Sequence, residues 1–122
     1  MGNFYVDGEI VNVRNANKTA KVPHLLVDTG SECSWISREI LKQIGVKVEK
    51  KDMDFQMADG KIISRSIGYA IVRAEGFVTV DEVVFAEPGD LQLLGARTLE
   101  GFGALADARK KKLIAAGPIL AA

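Results

Sequence analysis

The sequence has little of what most binding and catalytic sites are built from: one cysteine, Cys33, and one histidine, His24, in 122 residues. A single cysteine cannot close an internal disulfide, which excludes bridge-stapled secreted scaffolds and favours a reducing, cytoplasmic setting. With one histidine beside it, a structural zinc site lacks ligands, and neither metal nor cofactor is expected. An excess of either charge is missing too. Lys+Arg and Asp+Glu both number 16, giving zero formal charge and a pI near 6.6. Nucleic-acid binding draws on a basic surface that releases counterions from phosphate, so no nucleic-acid partner is expected. Long apolar runs are also absent. The most apolar tail, Leu113 to Ala122, is broken by Gly117-Pro118 and falls far short of the ~20 residues that a membrane span needs. Met1 to Asp7 has no basic segment leading into an apolar one, so neither a signal peptide nor a membrane partner is expected.

What is present is ordinary globular material, 48% hydrophobic and 26% charged, which excludes disorder, collagen and coiled coil. The length suits one domain, and a single domain over residues 1–122 is expected. Phe4 to Val13 and Thr19 to Val27 read as strands joined by a turn over Arg14–Lys18. Ser37 is a candidate N-cap for a short helix with Ile40, Leu41 and Ile44 on one face and Gly45 as its stop. Short β-prone segments follow: Met53–Met57, Ile62–Ser66, Tyr69–Ala74, Phe77–Val80 and Val83–Ala86. They are punctuated by Asp59-Gly60, Gly68, Glu75-Gly76, Asp81-Glu82 and Pro88-Gly89-Asp90. Asp59-Gly60 is the strongest hairpin signal, because a two-residue type I′ turn needs positive φ at both central positions. Leu91–Gly95 reads as a buried strand, Ala96–Gly101 as a short helix, and Leu105–Ala108 with Lys112–Ala116 as a last hairpin turned at Arg109-Lys110-Lys111.

The stretch with chemical content is Leu25-Leu26-Val27-Asp28-Thr29-Gly30-Ser31. An apolar strand delivers a carboxylate into a small polar turn. An acid/base aspartate must be held rigidly while staying reachable and hydrogen-bonded. The strand supplies the rigidity, Gly30 lets backbone N–H groups approach the carboxylate, and the hydroxyls of Thr29 and Ser31 offer further hydrogen bonds. These residues resemble the active-site motif of aspartic proteases, specifically the single-lobe, retropepsin-like kind.

The resemblance implies an all-β, mostly antiparallel closed barrel with one or two short helices. It also implies a homodimer in which each chain contributes Asp28, since one chain holds one such loop. In that scheme Asp28, Thr29 and Gly30 are the catalytic loop, with the Thr29 hydroxyl bonding across the dimer axis. Ser31 supports the loop by bonding the outer carboxylate oxygen. Met57, Ala58, Asp59 and Gly60 form the flap over bound peptide. Leu94 and Gly95, in Leu93-Leu94-Gly95, match the second family signature, which threads beside the catalytic loop before a helix. Retroviral members pair an acidic residue after the loop with an arginine just after that signature. Here Glu32 fills the acidic position, Ala96 stands where the arginine belongs, and Arg97 comes one residue late, so a Glu32–Arg97 pair is the expectation. Gly117 to Ala122 is expected to supply dimer-interface strand.

The implied activity is metal-free hydrolysis of a peptide or protein substrate with an acidic pH preference. The alternative is a protease-like domain that binds peptide or protein without turnover. Plainer readings stand beside these. Asp28 also reads as a turn aspartate capping its own loop, a common use of Asp-Thr-Gly-Ser, and the Asp59 hairpin as a mere connection. Cys33 with His24 suggests a thiol nucleophile only if the two side chains converge; a small buried thiol is the simpler reading. Trp35 reads as core or as a pocket wall.

Overall fold

A computed structural model describes residues 3–121. The elements run β1 (Phe4–Asn12), β2 (Asn15–Val27), β3 (Ser34–Ser37), α1 (Arg38–Gln43), β4 (Lys50–Gln56), β5 (Ile62–Ala74), β6 (Phe77–Ala86), β7 (Leu93–Leu94), α2 (Ala96–Phe102), β8 (Ala104–Asp107) and β9 (Lys112–Ala115). Strands dominate and both helices are short. Neither is long and apolar enough to cross a membrane.

Seven strands form one sheet in the order β1-β2-β7-β3-β6-β5-β4, and a further β1–β5 pairing joins its first strand back to its sixth, so that a ring of strands forms with β4 outside it. The expected antiparallel barrel holds only in part. Most pairings are antiparallel, but β2 runs parallel to β7 and β3 runs parallel to β6, making the sheet mixed. The parallel contacts arise because β2 and β7, far apart in sequence, enter the same region in the same direction.

Several expected breaks are not breaks. Gly68 lies inside β5, where a Cβ would stand 2.6 Å from the Lys47 carbonyl oxygen, so it permits close chain approach instead of marking a turn. Asp81-Glu82 lies inside a continuous β6. The first turn is tighter than Arg14–Lys18: Asn12 pairs with Asn15, and the Asn12 side-chain oxygen accepts from the N–H groups of Arg14 and Asn15 at 2.8 and 3.1 Å. The expected strand Leu91–Gly95 shrinks to Leu93–Leu94, and Leu91 is exposed. Both positive-φ positions of a primed turn occur at Glu75 (φ 50) and Gly76 (φ 85), which connect β5 to β6.

Strand periodicity sorts neighbours onto opposite faces. Leu25, Ile36, Val83, Phe85 and Leu94 enter the main core with Ile10, Val22, Leu41 and Val72. Leu26, Trp35, Val84, Ala86 and Leu93 enter a second cluster with Cys33 and Ile67, against which Phe55 and Ile63 pack. This explains the continuous apolar runs Leu25-Leu26-Val27 and Val83-Val84-Phe85: both faces of these strands are covered. The second cluster underlies the candidate site.

Candidate active site

β2 ends at Val27 and hands Asp28 to an irregular turn. The turn is hydrogen-bonded on each side. The Asp28 N–H donates to the Leu94 carbonyl at 3.0 Å, and the Ser31 N–H donates to the Asp28 carbonyl at 3.2 Å. The Gly30 N–H donates to Asp28 Oδ1 at 3.0 Å, as the glycine position suggested. Asp28 is half-buried while Thr29 and Gly30 are exposed, so the carboxylate is held yet reachable.

Leu94 and Gly95 lie directly against this turn. A Cβ on Gly95 would come within 2.4 Å of the Cys33 carbonyl oxygen and 2.8 Å of that of Glu32, distances that only glycine avoids. Past Gly95 the chain runs along the loop, the Ala96 N–H donating to the Ser31 carbonyl at 2.7 Å and the Arg97 N–H to the Glu32 carbonyl at 3.0 Å. That contact places Arg97 next to Glu32 despite its one-residue delay, and their side chains pair at 3.0 Å. Arg97 also reaches Glu82 at 3.4 Å, and Glu82 takes Lys50 at 2.5 Å. All four lie on the cleft wall. The Glu82 hydrogen bond and charge push the Lys50 ammonium up from its ordinary value.

A polar chain through two fully buried hydroxyls to the half-buried Asp81 underpins the loop. The Gly95 N–H donates to Ser34 Oγ at 3.0 Å, Ser34 Oγ and Thr98 Oγ1 share a hydrogen bond of 2.5 Å, and Thr98 Oγ1 donates to Asp81 Oδ2 at 2.9 Å. Ser34 and Thr98 are wholly inaccessible and wholly satisfied, as buried hydroxyls must be. Sequence reasoning missed Ser34, Asp81 and Thr98. The signal for Asp81 is an acid pair inside a β-prone run, which by itself reads as a turn; Ser34 and Thr98 carry none.

Ser31 differs from expectation. Its hydroxyl donates to the Cys33 carbonyl at 3.0 Å and braces the loop's own backbone; it does not bond the Asp28 carboxylate.

The β4–β5 hairpin overhangs the site. Its tip is wider than a two-residue Asp59-Gly60 turn: the Gly60 N–H donates to the Met57 carbonyl at 2.9 Å, so Ala58 and Asp59 are the central residues, and Met57 N–H reaches the Lys61 carbonyl at 2.8 Å. Within this tip positive φ falls on Gly60 alone, at 87°. The Asp59 carboxylate instead accepts from the Lys61 N–H at 2.9 Å. Between hairpin and loop lies a cleft of about 1010 Å³. Asp28, Gly30 and Ser31 line one side, Met57 and Ala58 the other, and Trp35, Ile67 and Leu93 its apolar base. Trp35 is therefore both core and pocket wall.

Cys33 and His24 do not converge. His24 stacks on Tyr5 with ring centroids 3.8 Å apart, while Cys33 is packed in the second apolar cluster. Burial foremost pushes the Cys33 thiol up, against the opposing pull of Arg97, so it stays protonated at neutral pH.

An aspartyl protease family model matches residues 11–97, from β1 through the Asp28 loop and hairpin to Arg97. The chain belongs to the aspartyl protease family, of the small retropepsin-like kind. No curated protein matches the sequence.

Proposed function

We propose that the protein is an aspartic endopeptidase that works as a homodimer, each 1–122 chain forming one domain and half of the active site. The observation that carries this reading is the placement of Asp28: a half-buried carboxylate, bonded to the Gly30 N–H, facing a cleft roofed by the β4–β5 hairpin. In the proposed dimer two Asp28 carboxylates meet about 3 Å apart, too close for both to ionise, and share one proton. One takes a proton from water as the water oxygen bonds the peptide carbonyl carbon, and the other donates its proton to the carbonyl oxygen. The C–N bond of the resulting diol then breaks as the nitrogen takes a proton from the dyad and leaves as the amine. The pKa values then belong to the pair. In this reading the Thr29 hydroxyl, on the exposed loop, bonds across the axis, and Met57 to Gly60 act as the flap. Such a dyad works best in acid.

The carboxyl-terminal segment is proposed as interface. Gly117 to Ala121 forms no strand, and Ile119 and Leu120 are 89% and 92% exposed, apolar surface that a second copy can cover. Ala122 lies outside the described residues.

The test is a peptide-library digest at acidic and neutral pH by wild type and Asp28→Asn, with the mass in solution measured alongside. Cleavage strongest in acid, absent in Asp28→Asn and carried by a dimer is expected. Undiminished cleavage by Asp28→Asn sinks the mechanism, and a monomer that binds peptide but cuts none establishes the binding-domain alternative.

A further inference from the structure

The β4–β5 hairpin has an arm as well as a tip, and the arm carries a charge where none is expected. Alternation along β5 places Ile63, Arg65 and Ile67 on one side, and both isoleucines pack into the apolar cluster beneath the cleft. Arg65 interrupts that row. Its guanidinium forks onto Asp90, Nε to Oδ2 at 2.7 Å and Nη2 to Oδ1 at 2.9 Å. The two side chains are only 19% and 14% exposed, whereas every other ion pair among the described residues has a more open partner on each side.

Asp90 is itself fixed. The Asp90 N–H donates to the Glu87 carbonyl at 2.9 Å, and the Glu87 N–H returns to Asp90 Oδ2 at 2.8 Å. Pro88 and Gly89, with φ 95 at the glycine, hold the central positions of that turn, as a type II turn requires. Gly89, Asp90 and Leu91 face the cleft, while Arg65 does not line it. A planar fork on a rigid carboxylate thus ties β5 to the Glu87–Leu91 loop just beyond the last β5–β6 pair, Ile67↔Val84.

Towards the tip, the hairpin is held by the pairs Asp54↔Ser64, Phe55↔Ile63 and Gln56↔Ile62, and only Phe55 and Ile63 are half-buried. Few buried contacts mark the segment that opens most easily. Resting on the reading of this hairpin as a flap, we propose that Arg65–Asp90 is a latch tying the flap's arm to the Glu87–Leu91 loop. It confines flap motion to residues 54–64 and sets the height at which the flap meets a peptide. Arg65 is then a positioning residue: it touches no substrate and acts through the flap.

The experiment compares wild type, Arg65→Met, Arg65→Lys and Asp90→Asn by backbone hydrogen exchange over residues 62–67 and by peptide cleavage. Exchange there is expected to quicken about tenfold in Arg65→Met and Asp90→Asn, with Arg65→Lys in between because it keeps charge but loses the fork. KM is expected to rise about tenfold with kcat nearly unchanged, the mark of lost positioning without lost chemistry. Asp90→Asn keeps an oxygen for the Glu87 N–H and decides the matter if Arg65→Met does not fold. Wild-type exchange rates in a folded Arg65→Met or Asp90→Asn overturn the latch. A wild type that cleaves no peptide overturns the protease reading alone, because the exchange arm needs no turnover.

Discussion

Gly95 lies so tightly against Cys33 that a single added methyl group would sit 2.4 Å from the Cys33 carbonyl oxygen. The obstacle is backbone on both sides, which cannot swing away as a side chain can. Gly95→Ala is therefore expected to destabilise the fold by roughly 1–3 kcal/mol, the usual cost of overpacking, and to displace the Asp28 loop. Urea unfolding measures the first effect and peptide cleavage the second; a variant with wild-type stability contradicts the packing described.

Thr98 bridges Ser34 and Asp81 inside the protein. Thr98→Val keeps the shape and removes the hydroxyl, leaving an oxygen of the half-buried Asp81 carboxylate and the buried Ser34 hydroxyl short of a partner. A loss of about 1–3 kcal/mol is expected. Thr98→Ser, which retains the hydroxyl, should recover most of it in the same thermal melt.

The Ser31 hydroxyl serves the Cys33 carbonyl and not the Asp28 carboxylate. Ser31→Ala is accordingly expected to lower stability by about 1 kcal/mol while leaving the pH profile of cleavage where it was. A displaced acidic limb in that profile would show that the hydroxyl turns to the carboxylate in the working enzyme.

Arg65 beside Asp90 holds that carboxyl below its ordinary value of 3.8, with the Glu87 N–H acting in the same direction and partial burial opposing. A depressed folded pKa means stabilisation that is present above the ordinary value and lost as pH falls through the folded one. Asp90→Asn should thus be less stable than wild type at neutral pH, by about 1 kcal/mol. The gap should close in strong acid. Unfolding midpoints across this range give the answer, and a gap that widens in acid reverses the sign.

Burial of the Cys33 thiol predicts slow alkylation of the native protein at neutral pH, at least tenfold slower than after denaturation. Cleavage should survive thiol-blocking reagents. Mass spectrometry of the modified fraction, read with residual activity, checks both.

The site's local parts were legible in the sequence because their signals are local. An apolar strand leads into the Asp28-Thr29-Gly30 turn, Leu94 and Gly95 lie against that turn, and Glu32 pairs with Arg97 although the arginine comes one residue late. What stayed hidden depends on distant partners. Asp81 and Glu82 look like turn residues until Thr98, Lys50 and Arg97 arrive from other elements to satisfy them in mid-strand. Gly68 looks like punctuation until Lys47 passes over it. Arg65 and Asp90 carry no motif at all; only the fold brings them together.

The alternation that divides the apolar residues between two clusters gives neighbours in one strand separate tasks. Ile36 and Leu94 answer to the main core, whereas Trp35 and Leu93, one position away, shape the cleft. Substitutions at the first pair are expected to register as lost stability alone, and those at the second as lost stability together with, in the proposed protease, altered peptide preference. In the proposed protease, peptide preference can then shift by one-residue steps along β3 and β7 that leave the main core untouched.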